Sequence, residues 1–170
     1  MPDTKKVLYI GGHGKIGLLT TPKLVEKGHE VHSLVRNPDY KAELEGLGAT
    51  PVIADITKQS AADWAQLVDG FDVVVWGAGN GGRGGADLTF AVDQDGAIAL
   101  VEGMESLGEK APRLIMISYM GATTNEVEND GGSWYAYVES KKNADNRINS
   151  SNLDHVILGP GLLTEDPAAG

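Results

Sequence analysis

Val7-Leu8-Tyr9-Ile10-Gly11-Gly12-His13-Gly14-Lys15-Ile16-Gly17 is the stretch on which the fold turns. A short apolar run stops at a glycine. Gly11, Gly14 and Gly17 then recur as G-x-x-G-x-x-G while a helical pattern begins. Glycines so spaced allow a tight turn, let backbone N–H groups approach a pyrophosphate at the helix N-terminus, and permit close helix–strand packing. Alone, the spacing is a weak signal. At a strand-to-helix junction of a β-α-β unit it is a strong one, the plainer reading being an ordinary glycine-rich turn.

Outward from this point the same alternation continues to the end of the chain. Strands are expected at Val7–Ile10, Val31–Val35, Pro51–Ala54, Val73–Trp76, Leu114–Ile117 and Val156–Leu158, all β-branched-rich and bounded by Gly, Asp, Asn or Pro. Helices are expected near 15–27, 40–46, 60–68, 88–107 and 134–149, with Gly28 and Gly108 just past two of them at helix-ending positions. Strict β-α alternation predicts an α/β, doubly wound parallel sheet of Rossmann type, with helices on both faces in three layers. No repeat or linker divides the chain, so residues 1–170 read as a single domain.

Composition narrows the function. Glycine accounts for 23 of 170 residues, roughly twice the usual share near 7%. With 14 basic against 24 acidic residues the net charge is −10, which argues against a general basic face for nucleic acid or anionic membrane. The absence of cysteine excludes disulfides, thiolate metal sites and cysteine nucleophiles, and fits a reducing cytoplasm. No signal segment or membrane span is expected. Histidines 29 and 32 flank a strand on opposite sides, so no metal site is expected.

The glycine loop is not a P-loop: Gly14-Lys15 lacks the longer spacing and the following hydroxyl, and Ile16 cannot ligate Mg²⁺. An acidic residue at the end of the second strand would bind ribose hydroxyls. Here Val35 is followed by Arg36, 19 residues beyond Gly17, where a cation suits a 2′-phosphate. NADP(H) is therefore expected over NAD(H), with His13 and Lys15 adding to the phosphate pocket and Arg36 as a solvated loop charge the alternative. Asp55 ends the third strand and can accept from an adenine amino group while the Ile56 N–H donates to the ring. A capping role for Asp55 is an equal reading.

With these residues in place the chain resembles the atypical short-chain dehydrogenase/reductases, in the NmrA-like NAD(P)-binding branch. The shared features are Gly11-Gly12-x-Gly14-x-x-Gly17, Leu34-Val35-Arg36-Asn37, Ala54-Asp55, Gly77-Ala78-Gly79, Val92-Asp93-x-Asp95-Gly96-Ala97, Ile117-Ser118, Tyr137-x-x-x-Lys141-x-x-Ala144-Asp145 and Leu158-Gly159-Pro160-Gly161. The resemblance implies a cofactor along the C-terminal strand edge, touched by Gly11 to Gly17, Arg36, Asn37, Asp55, Ile56, Gly77, Ala78, Gly79 and Lys141. It also implies Tyr137 as acid/base, Lys141 lowering the tyrosine pKa and holding the nicotinamide ribose, and Ser118 positioning the substrate oxygen. Tyr137 and Lys141 stand at i,i+4, on one helical face.

Three departures stand out. Ser118 is followed by Tyr119 rather than a second serine, which puts Tyr119 in line for the hydroxyl position. Leu88 stands where close relatives often carry lysine. The chain stops at Gly170, before the strand and helix with which relatives usually continue. The expected activity is hydride transfer between NADPH and a small carbonyl, quinone or sugar-nucleotide-like substrate. The alternative is a non-catalytic NADP(H) sensor that binds a protein partner, and epimerase chemistry with tightly held NAD is disfavoured by Arg36. Asp93 and Asp95 are read as solvent or cap residues, Trp76 and Trp134 as core or rim aromatics, and residues 125–130 as a solvated loop or lid. Thirteen glycines fall on one sheet edge, and the cluster Gly81-Gly82-Arg83-Gly84-Gly85 is expected to be a mobile loop.

Overall fold

The structure, a computed structural model, describes residues 3–80 and 83–168. Six strands, β1 (Lys6–Ile10), β2 (Glu30–Val35), β3 (Thr50–Ile53), β4 (Val73–Trp76), β5 (Arg113–Ile117) and β6 (His155–Leu158), form one sheet in the order 3-2-1-4-5-6. Every pairing is parallel. Helices α1 (Lys15–Glu26), α2 (Lys41–Gly46), α3 (Ala61–Val68), α4 (Gly85–Thr89), α5 (Ala97–Ser106) and α6 (Ser133–Asn149) connect them. This is the doubly wound order, and its reversal between β1 and β4 opens a crevice at the C-terminal strand edge.

Both faces of the sheet are apolar, as its parallel strands require. One alternate set, Leu8 and Ile10, Val74 and Trp76, Leu114 and Met116, packs under α3, α5 and α6 through Trp64, Leu100, Met104 and Ile148. The other set, Val7, Tyr9 and Val75, packs with Leu24 of α1. Along β6, Ile157 joins the first layer whereas Val156 and Leu158 are exposed.

The elements differ from the sequence reading in one instructive place. A helix near 88–107 was expected; the chain instead turns through Gly84 and Gly85, both at left-handed φ, into α4, and then runs as a π-helix over Phe90–Gly96 before α5. Consecutive left-handed residues are cheap only for glycine, which accounts for part of the second glycine cluster. Gly81 and Gly82, on which the expected mobile loop also rests, lie outside the described residues.

Candidate active site

The glycine loop leaves β1 at Gly11, whose φ of +85° and whose approach to the Ala78 backbone, 2.7 Å from where a Cβ would stand, admit no other residue. Three backbone hydrogen bonds hold this shape. Gly11 and Gly12 N–H groups donate to the Leu34 carbonyl, and Gly14 N–H to that of Gly11. Helix α1 starts at Gly14 with no side-chain cap, so its first N–H groups face the crevice without a protein oxygen from a capping residue. A groove of about 260 Å³ follows from here along the strand ends. Gly11, Gly14, Arg36, Asp55, Ile56, Gly77, Ala78, Gly79 and Leu88 are among its walls. The crowding at Gly11 is against the chain's own backbone and fixes the shape of the loop, while the uncapped helix terminus and the Arg36 cation fit a dinucleotide in which a pyrophosphate lies against the loop.

Not every expected contact is free to be made. The His13 ring stacks flat on Tyr40, with centroids 3.5 Å apart, and its Nε2 meets Glu43 Oε2 at 2.6 Å, so the side chain ties the loop to α2 instead of reaching the groove. Lys15 forms an exposed pair with Glu165, worth little in water. Asn37 caps the turn Pro38–Tyr40 through the Asp39 N–H. Asp55 Oδ1 accepts from both the N–H and hydroxyl of Thr57, the capping role weighed from sequence, while the residue still lines the groove.

At the other end, α6 carries Tyr137 and Lys141 towards the ends of β4 and β5. Lys141 is buried, and its Nζ donates to the Ile117 carbonyl at 3.5 Å. Burial lowers its pKa, while Asp93 and Asp145 pull it back up. Tyr137 is half-buried, its ring between those of Tyr119 and Trp134, each with a centroid 5.6 Å away. Burial first, and then Asp93, Tyr119 and Asp145, hold the Tyr137 pKa above its ordinary value.

Of the two candidates for the hydroxyl position, Ser118 turns inward and Tyr119 faces the cleft. Ser118 is buried and its hydroxyl donates to Asp145 Oδ2 at 2.5 Å. Tyr119, by contrast, lines a second cleft of about 650 Å³ with Met120, Ser133, Trp134, Tyr137, Pro160, Gly161 and Leu162.

Asp93 is the residue that sequence reasoning misplaced. It is 1% exposed rather than solvated, it accepts from the Asn80 N–H at 2.9 Å, and burial holds its carboxyl above the ordinary value despite Lys141. A signal was present. Asp93 continues the apolar stripe Gly96, Ala97, Leu100, Val101, Met104 at helical spacing, which places it on the inward face. Asp145, quoted only within a motif, is likewise buried and holds Ser118.

A doubly wound sheet with a glycine-loop groove at its switch point defines a dinucleotide-binding protein. Comparison with known proteins gives the family. A profile of the NAD(P)H-binding family matches residues 11–170, and the chain belongs to that family, of the atypical short-chain dehydrogenase/reductase kind. It is 34% identical over 166 residues to the Bacillus subtilis protein named uncharacterized sugar epimerase YhfK, a match covering 97% of this chain and 75% of that one. A solved Bacillus halodurans structure, named a putative NAD-dependent epimerase/dehydratase, is 31% identical with a TM-score of 0.84, over 98% of this chain and 74% of its own. The oxidoreductase ylbE from Lactococcus lactis is 25% identical with a TM-score of 0.76, over 97% of this chain and 73% of its own.

Proposed function

We propose that this protein is an NADPH-dependent reductase of small carbonyl compounds. The observation that carries the reading is Arg36 in the wall of the groove, at the end of β2, where it can pair with a 2′-phosphate. The cofactor, when bound, supplies a hydride. The chain supplies the rest: Gly11 to Gly17 and the start of α1 hold the pyrophosphate, Arg36 the 2′-phosphate, and Lys141 the nicotinamide ribose. The Tyr137 hydroxyl, like any phenol with a pKa near 10 or above, is protonated near neutral pH and is the group that would donate to a carbonyl oxygen in the reductive direction. YhfK is named a sugar epimerase. That chemistry works with tightly held NAD, and the cation at position 36 favours NADPH over it.

The test is fluorometric titration with NADPH and NADH, followed by NADPH oxidation in the presence of carbonyl compounds. NADPH should bind more tightly, and Arg36→Ala should cost it roughly ten-fold or more, as for a charge-assisted hydrogen bond, with little effect on NADH. Tyr137→Phe should lower turnover by roughly 10²- to 10⁴-fold without changing NADPH affinity. Equal or tighter binding of NADH would overturn the preference. Ser118 gives the second reading its footing, since its hydroxyl is committed to Asp145 and not to the cleft. Tight NADPH binding without turnover would favour an NADP(H) sensor.

A further inference from the structure

Tyr137, the proposed proton donor, opens onto the 650 Å³ cleft, and the chemistry of that cleft selects among substrates. Three rings form one wall. Trp134, Tyr137 and Tyr119 stand in sequence with interplanar angles of 18° and 25°, a near-parallel stack. Trp134 is 59% exposed, Met120 71% and Leu162 94%, so the apolar surface around the stack is open to solvent. The segment from Asn125 to Asp130, which follows β5, is joined to this wall at its first residue. Asn125 Nδ2 donates to the Tyr119 hydroxyl at 3.2 Å, and Asp130 Oδ1 accepts from the Gly132 N–H at 2.8 Å, immediately before Ser133 and Trp134.

A nucleotide sugar brings a diphosphate with two negative charges. Among the described residues lining the cleft none is a cation, so such a ligand finds no charge partner there. A flat uncharged ring system meets the reverse: a parallel stack to lie against and apolar surface to cover. We infer that the substrate site is built for an uncharged, planar aryl carbonyl compound, of the quinone or aryl ketone class, lying in the cleft along the edge of the stack beside Trp134 with its oxygen at the Tyr137 hydroxyl.

This rests on the reductase reading above for its chemistry, although the binding half stands without it. In the reaction the carbonyl carbon of the bound compound gains a hydride from NADPH, which leaves as NADP⁺. The carbonyl π bond breaks, and its oxygen takes the Tyr137 proton, which solvent replaces. From a quinone the resulting hydroxydienone tautomerises to the hydroquinone, so two electrons and two hydrogens are transferred overall.

The probe is 1,4-naphthoquinone, which finds no cysteine in this chain to alkylate. Trp64 and Trp76 are fully buried, so saturable quenching of tryptophan emission reports Trp134. Saturable quenching is expected without cofactor, absent in Trp134→Phe, and not displaced by UDP-glucose. With NADPH present, naphthoquinone should be reduced and UDP-glucose left unchanged. Trp134→Ala should lower kcat/KM for naphthoquinone about ten-fold at unaltered NADPH affinity, while Trp134→Phe, which keeps a ring, stays within a few-fold of the parent. Non-saturable quenching, displacement by UDP-glucose, or an unchanged kcat/KM in Trp134→Ala would overturn the inference. Failure of NADPH to bind while naphthoquinone still quenches saturably would overturn the reductase reading and leave the aryl site supported.

Discussion

Asp93 shows how one buried carboxyl connects the cofactor edge to the proposed chemistry. Its Oδ1 holds the Asn80 N–H, fixing the chain where it leaves β4 beside the groove, while its other oxygen has no hydrogen-bond partner among the described residues. Lys141 and Asp145 face the same interior from α6. Burial raises the Asp93 pKa above its ordinary value near 3.8, so the folded chain binds that proton more tightly than the unfolded chain. Stability from this group is therefore complete below the unfolded value and is lost as pH rises through the folded one. Asp93→Asn keeps the acceptor for Asn80 and removes the titration. Urea unfolding at pH values from about 4.5 to 8 should give the variant a flatter stability profile than the parent, with its relative gain growing as pH rises. An unchanged slope would mean that the Asp93 carboxyl remains ionised throughout this range.

Close packing of helices, at the next scale, explains glycines that ligand binding does not. Where α5 crosses α3, a Cβ on Gly103 would stand 2.4 Å from the Ala61 carbonyl oxygen and 2.9 Å from Trp64 Cβ. Backbone cannot move aside as a side-chain end can. Gly103→Ala should accordingly destabilise the fold by about 1–3 kcal/mol, measured by thermal or urea unfolding, with NADPH affinity unchanged because neither Gly103 nor Ala61 lines the groove. A neutral substitution would show that α3 and α5 can separate at little cost. The same elements mark how far the sequence could be read. β4 has the expected bounds, while β1, β2, β5 and β6 each begin one residue earlier, at Lys6, Glu30, Arg113 and His155. The ladder bonds backbone and is indifferent to a polar side chain at a strand end. The π-helix at Phe90–Gly96 was not legible, since it presents an apolar stripe that an α-helix also satisfies. At the site, the glycine loop is read from local spacing and the Tyr137–Lys141 pair from the family resemblance. That Ser118 turns to Asp145 and Tyr119 to the cleft depends on how α6 packs on β5, which no local pattern encodes.

For the whole molecule the controlling quantity is the excess of 24 acidic over 14 basic residues, a net charge of −10. A dinucleotide phosphate is itself an anion, so the global field opposes its approach while Arg36 and the α1 terminus attract it locally. Ionic strength separates the two. At about 0.01 M salt the screening length is about 30 Å, larger than the radius of gyration of about 15 Å for a chain this long, and the ligand meets the full net charge. At about 0.15 M that length falls to about 8 Å, and only the groove is felt. The association rate of NADPH, followed by stopped-flow fluorescence, should therefore rise with salt over this range, the opposite of an electrostatically steered encounter. The dissociation rate should rise as well, since salt also weakens the contact with Arg36, and Arg36→Ala should remove most of that second dependence and leave the first. An association rate that falls with salt would show that the groove, rather than the acidic surface, governs the approach.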